Sequence, residues 1–221
     1  MDTLSQLLAR RSDRDVMVKQ IPLTKGLYAL VDDDDFVDIL KGCRNSGLVP
    51  VFQHSNIAVF AADCRQVLPL LSDDSVQLVL SDPPYEADAH TKQRRVQRGK
   101  GELVNMPLPF DCITEELRDF VAEQTARVLS RGWTITFCQI EAAMIWRAAY
   151  ERYGMSYKRT CIFRKKDGQP NYMGDGPGMG YETLVAMWQG RGRSEWNGGG
   201  KHGVYPSEKY VYDYIKGAEL D

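Results

Sequence analysis

Apolar and polar positions alternate in blocks along this chain, and the blocks predict strands and helices in turn. Residues 76–80 (VQLVL) form a continuous apolar run and read as a parallel strand buried on both faces. Upstream, residues 57–61 predict a short apolar strand ending at Asp63, 67–71 a short helix, and 72–75 (SDDS) a turn. Downstream, Thr114-Glu115-Glu116 opens a helix whose apolar face is Leu117, Phe120, Val121, Val128 and Leu129, ending at Arg131-Gly132. A strand over 134–138, a helix over about 141–153, and strand-like runs at 160–164 and 183–188 follow, the last two joined by a long Gly-rich loop. Strand–helix alternation of this kind points to an α/β sheet with covered faces.

The first fifty residues follow a different pattern. Residues 3–16 suit a short charged helix, and 18–40 hold two strand-like runs joined at Lys25-Gly26. Asp32 to Asp35 then mark a helix start, where the helix dipole favours negative charge; nothing nearby completes a metal-ligand set. The main domain begins after Gly47-Leu48-Val49-Pro50, dividing the chain into a small extension, 1–50, and a main domain, 51–221. IPLTKGLYALVDD resembles the lead-in of phage-encoded HNH or AP2-type DNA-binding proteins. No endonuclease histidine cluster follows it, so the resemblance implies an accessory DNA-binding remnant.

Composition narrows the class. An apolar fraction of 43% with 26% charged residues is that of an ordinary soluble globular protein. The net charge of -2 excludes a uniformly basic coat, so any footprint for a polyanion must be local. The cysteines stand far apart, without a C-x-x-C pair, which argues against zinc; their odd number suits a reducing compartment. The N-terminus is too polar for a signal peptide, and no apolar run approaches the roughly 18 residues that span a bilayer. A cytoplasmic protein is expected.

Asp82-Pro83-Pro84-Tyr85, directly after the apolar run, is the strongest chemical signal. Ligands of open α/β sheets bind at the carboxyl ends of strands. Prolines fix φ, restrict the preceding residue and need no partner for an N–H. The Pro83 carbonyl and the Asp82 carboxylate are thus two fixed acceptors, matching the two donors of an exocyclic NH2 group, and Tyr85 adds an aromatic face for stacking. The plainer reading is a proline-stiffened loop.

SDPPY after VQLVL resembles the catalytic motif of S-adenosylmethionine-dependent DNA N6-adenine methyltransferases. AADCRQVLPLLSDDSVQLVLSDPPY, PFDCITEELRDFV, RVLSRGWTITFCQIEA, GDGPGMGYETLVAMW and WNGGGKHGVY are similar to phage and prophage members of the class whose catalytic motif precedes the cofactor loop. The resemblance covers roughly residues 57–205. It implies a Rossmann-like methyltransferase sheet with helices on both faces, S-adenosylmethionine as cofactor and double-stranded DNA as partner. It also implies that Asp82 and the Pro83 carbonyl hold the target amine, that Pro84 completes the corner and that Tyr85 stacks on the flipped base. Asp63 takes the position of an acidic residue near the cofactor's adenosine, and Asp82 also borders the cofactor. The basic stretch with Lys92, Arg94, Arg95, Arg98 and Lys100 is expected to contact phosphates, which holds DNA without reading sequence. A homodimer or a restriction-modification partner fits this class.

One element of the class is missing. Gly176-Pro177-Gly178-Met179-Gly180 does not leave a buried strand and open a helix, so it reads as a loop between two late strands near the cleft. His202 to Lys209 only faintly echoes the segment that should lead to a D-P-F-x-G-x-G cofactor loop, and that loop is not present. The expectation is therefore an incomplete sheet from a fragment, or a diverged form completed by a partner, with an unpaired apolar edge beside the catalytic strand. Four other readings stay open: an N4-cytosine methyltransferase, a methyltransferase of RNA or protein glutamine, a non-catalytic DNA-binding protein, and a structural or inhibitory subunit of a restriction-modification assembly.

Overall fold

A computed structural model describes residues 19–23, 27–31, 33–54, 57–87, 95–98, 102–105, 111–165, 174–178, 180–196, 200 and 202–206. In chain order the elements are β1 (Lys19–Leu23), β2 (Leu27–Val31), α1 (Asp33–Asn45), β3 (Phe52–His54), β4 (Ile57–Val59), α2 (Cys64–Val67) and β5 (Val76–Ser81). There follow β6 (Arg95–Arg98), β7 (Glu102–Asn105), α3 (Glu115–Val128), β8 (Leu129–Cys138), α4 (Ala143–Arg152), β9 (Ser156–Arg164), β10 (Tyr181–Gln189) and β11 (Val204–Pro206). The expected charged helix over 3–16 lies outside the described residues.

The main sheet has nine strands in the order β11-β9-β10-β8-β5-β2-β1-β4-β3. β5 runs parallel to β8, with Ser81 opposite Thr136. β10 is antiparallel to both β8 and β9. On its other side β5 pairs antiparallel with β2, Leu27 lying opposite Ser81. The expected unpaired edge is therefore filled: the strand pair from the first fifty residues closes β5 into the sheet interior. The division expected at residue 50 is crossed by this sheet, and α1 contributes Phe36, Ile39, Leu40 and Cys43 to the same core.

α3 forms where the sequence predicts it. Its cap, Thr114, accepts a hydrogen bond from the Leu117 N–H, and Glu115 and Glu116 occupy the first turn. Its end differs from expectation: the chain passes directly from Val128 into β8, so Arg131-Gly132 lies within a strand. Gly132 is needed there for a close approach, since a Cβ would stand 2.1 Å from the Gln77 carbonyl oxygen. The basic stretch also departs from its aperiodic reading. β6 and β7 pair as a separate two-stranded sheet, Val96 opposite Val104, each of four residues and so too brief to give a clear alternation.

α3 and α4 pack on each other and on the sheet, with Trp146 and Tyr150 of α4 almost fully buried. Burial along β8 alternates: Thr134, Thr136 and Cys138 face these helices, while Trp133, Ile135 and Phe137 on the other face are half-buried. β5 follows suit, buried at Val76, Val79 and Ser81 but only partly at Leu78 and Leu80, so its second face is less covered than its unbroken apolar run predicts. β10 is buried throughout its middle, Thr183 to Trp188.

Gly132→Ala is expected to cost about 2–3 kcal/mol or to prevent folding, because backbone at Gln77 must move. A urea midpoint equal to the parent's rules out the tight β5–β8 approach.

Candidate active site

The site is built at the carboxyl end of β5. Ser81, fully buried, donates through Oγ to Thr136 Oγ1 at 2.9 Å. Thr136 Oγ1 shares a hydrogen bond of 2.7 Å with the Tyr150 hydroxyl of α4. Burial raises the Tyr150 pKa, so the phenol stays neutral and the chain of hydroxyls stays uncharged. β5, β8 and α4 are thus tied together one residue before Asp82.

Beyond that tie the corner turns outward. Pro83 and Pro84 are buried, Tyr85 is half-buried and Asp82 is exposed. The next backbone groups are held from two other directions. The Tyr85 carbonyl accepts from the Ile113 N–H at 3.0 Å, and the Glu86 N–H donates to Gln139 Oε1 at 3.1 Å. The Glu86 carboxylate receives Arg118 Nη2 of α3 at 2.7 Å.

Five charged or titratable groups set the field: Asp82, Tyr85, Lys165, Glu182 and Cys138. Asp82 has an exposed edge, yet the protein crowds its carboxyl enough that desolvation, and next the Glu182 carboxylate, raise its pKa. A hydrogen bond from Tyr85 and the charge of Lys165 work in the opposite direction. Desolvation raises the Tyr85 pKa well beyond the usual phenol range, with Asp82 and Glu182 adding to it, so Tyr85 remains a hydrogen-bond donor. Lys165, just after β9, forms an ion pair with Glu182 of β10. Cys138, at the end of β8, is pushed by burial up to about 12 and is a protonated thiol at neutral pH. It offers no thiolate nucleophile beside the corner.

Sequence reasoning found Asp82, Pro83, Pro84 and Tyr85 but missed Arg118, Gln139, Lys165 and Glu182. Each of these sits on or beside an element the hydrophobic pattern had found. Only the strand order brings their ends to the end of β5.

The other expected site residues lie elsewhere. Asp63 caps α2, accepting from the Arg65 N–H, and its two carboxylate oxygens also receive the Arg65 guanidinium at 3.0 and 2.7 Å. β4 points the same way as β5 but stands three strand spacings across, about 14 Å. Lys92, Arg94 and Lys100 lie outside the described residues; Arg95 and Arg98 are placed in β6 by backbone alone. The Gly176 to Gly180 loop joins β9 to β10 at the site's end of the sheet, where the Lys165 N–H donates to the Gly180 carbonyl at 2.8 Å. A hollow lined by Arg131, Arg193, Ser194, Glu195 and Trp196 sits at the opposite end of β8. Arg131 is engaged there by the carbonyls of Arg191 and Arg193.

No family model and no curated protein matches the chain. Among solved structures it is similar to M1.HpyAVI in complex with SAM, with 13% identity and a TM-score of 0.42, over 87% of this chain and 67% of that one. It is also similar to TTHA0409 of Thermus thermophilus, described as a candidate DNA modification methylase, with 14% identity and a TM-score of 0.43. That match covers 66% of each chain. A second structure of M1.HpyAVI matches over 48% of this chain and 58% of that one, with 14% identity and a TM-score of 0.34. Likenesses this partial carry no weight for the chemistry, which stands on the residues themselves.

A raised Asp82 pKa makes a stability prediction. The folded state binds the proton more tightly than the unfolded chain does. The resulting cost is absent below the unfolded carboxylate value of about 4 and complete above the folded one. Asp82→Asn is therefore expected to melt higher than the parent at about pH 8, with the gap closing as pH falls to about 4. A gap that grows toward low pH contradicts the desolvated carboxylate.

Proposed function

We propose that this chain acts as a DNA methyltransferase, placing the N6 amine of a flipped adenine on the Asp82–Tyr85 corner to receive a methyl group from S-adenosylmethionine. The observation that carries this reading is an exposed carboxylate on a buried proline pair at the carboxyl end of an interior strand. Asp82 and the Pro83 carbonyl accept the two amine hydrogens, and the Tyr85 ring stacks on the base. An aspartate carboxylate, ordinarily titrating at about 4, is too weak a base to deprotonate a neutral arylamine. Its work is to orient the amine and to stabilise positive charge growing on nitrogen. The amine would attack the methyl carbon directly as its bond to sulfur breaks, a neutral thioether would leave, and the methylated nitrogen would then shed one proton to water. A neighbouring Cys138 that stays protonated is consistent with this direct attack.

The charged groups suit the cofactor at its reactive end. Asp82 and Glu182 present carboxylates and Lys165 an ammonium, complementary to a molecule bearing a sulfonium, an amine and a carboxylate. S-adenosylmethionine bound there supplies an electrophilic methyl group. For the adenosine end, the strand beside β5 on its far side is antiparallel β2, and the described residues hold no strand–glycine loop–helix unit next to the corner. Asp63 is the proposed acidic group for that end. Its Arg65 partner would have to yield a carboxylate oxygen.

Duplex DNA is the proposed partner. Reaching the base requires flipping it out of the stack at a few kcal/mol. The β6–β7 hairpin and its flanks follow the corner in sequence and supply Lys92, Arg94, Arg95, Arg98 and Lys100 for phosphate contacts. A homodimer or a restriction-modification partner, in the cytoplasm of a bacterial or phage-infected cell, completes the proposal.

Transfer from labelled S-adenosylmethionine to duplex DNA, followed by nucleoside analysis, tests the reading. N6-methyladenine is the expected product; N4-methylcytosine would move the assignment to the other exocyclic amine, and no incorporation by any form of the protein would refute it. Asp82→Ala and Tyr85→Ala are each expected to lose at least about 100-fold in kcat while remaining folded. Neutralising Arg94, Arg95 and Arg98 together should flatten the salt dependence of DNA binding by up to about 3 in log–log slope, and an unchanged slope excludes the hairpin from the interface.

A further inference from the structure

We infer that Arg118 is a positioning residue for the acceptor corner, acting through an ion pair between its buried guanidinium and the part-buried Glu86 to fix the backbone immediately after Tyr85. The inference deepens the proposed function, since it takes the corner to be the amine-binding site.

Arg118 is an unusual occupant of the inner face of α3. Its side chain is 6% exposed, its guanidinium carbon lies 5.6 Å above the Trp146 ring, and Nη2 reaches Glu86 at 2.7 Å. A buried ion pair is a poor way to gain stability, because removing both charges from water offsets most of their attraction. This pair is poorer than usual: among the described residues Arg118 Nε has no hydrogen-bond acceptor. An apolar side chain of similar volume at both positions would hold α3 to the sheet at least as well.

The pair does achieve placement. Glu86 follows Tyr85 directly, its N–H is held by Gln139 from the end of β8, and the Tyr85 carbonyl is held by Ile113. Arg118 adds a third direction, from beneath, through a side chain fixed by a nearly fully buried tryptophan. With Ser81 tied to Thr136 before the corner, the backbone is fixed on both sides of Asp82–Tyr85. Arginine suits the task because its flat guanidinium both stacks on the ring and donates in a set direction; a lysine ammonium retains the charge and loses the geometry.

Four variants test this: Arg118→Met, Arg118→Lys, Glu86→Gln, and the double variant Glu86→Gln with Arg118→Met. Melting temperature, hydrogen exchange of the Glu86 and Ile113 amides, and kcat and KM for methyl transfer to DNA are the readouts. Arg118→Met leaves the part-buried Glu86 carboxylate without its partner, so its melting temperature falls. The double variant is expected to regain the melting temperature, yet keep fast exchange at both amides and a kcat about 100-fold down, with KM little changed. Arg118→Lys should show the same loss of kcat with melting near the parent's, which keeps the test open if Arg118→Met does not fold. Recovery of kcat and amide protection along with melting temperature in the double variant overturns the inference and makes the pair structural. If the parent protein methylates no DNA, the proposed function fails by itself, and amide exchange in the double variant still decides whether Arg118 fixes the corner.

Discussion

Everything at this site depends on holding a carboxylate still at the edge of a sheet. Asp82 projects from a corner whose prolines donate no hydrogen bonds, so the sheet ladder cannot continue through it. Rigidity must come from what lies on either side. The Ser81–Thr136–Tyr150 run of hydroxyls supplies it before the corner, with no charge that titration could disturb. Gln139, Ile113 and Arg118 supply it afterwards, from a strand end, a loop and a helix. Three elements some thirty to fifty residues beyond the corner in sequence thus converge on it, and Pro83 and Pro84 are buried between them.

That convergence requires β5 to be interior. Its two neighbours serve different ends. Parallel β8 brings a crossover helix and places its own carboxyl end, with Cys138 and Gln139, beside the corner. Antiparallel β2 satisfies the other edge of the strand, but it reaches the corner at its first residue, Leu27, and arrives by a tight hairpin instead of a helix. The described groups that act on the corner therefore come from the side of β8, β9 and β10. The hairpin protects β5 from exposed pairing.

Much of this was legible in the residues. β5, its proline corner, the Thr114 cap and α3 follow from local rules that a single stretch of sequence obeys. What the sequence concealed was non-local. The end of α3 was misplaced because Gly132 resembles a helix stop, while its real task is to let β8 approach Gln77. The filling of the sheet by β1 and β2 was invisible because those runs are short and their partner lies some fifty residues away. Arg118 looks like a solvated helix charge until Glu86 and Trp146 are seen to enclose it. Glu182 and Lys165 carry no motif; adjacency of strand ends alone gives them a role.

The two ion pairs near the corner divide the labour. Arg118–Glu86 lies beneath it, with Arg118 6% and Glu86 25% exposed, where the buried arginine cannot move without losing the carboxylate that balances its charge. Lys165–Glu182 lies at the rim, with side chains 40% and 25% exposed, where water screens the attraction and both groups retain some freedom. Such a pair holds little in place, yet it decides how much negative potential reaches Asp82: Glu182 makes that carboxylate harder to ionise, and Lys165 opposes it. The inner pair therefore holds the corner's backbone, while the rim pair on balance makes Asp82 harder to ionise, because Glu182 acts on it more strongly than Lys165 does.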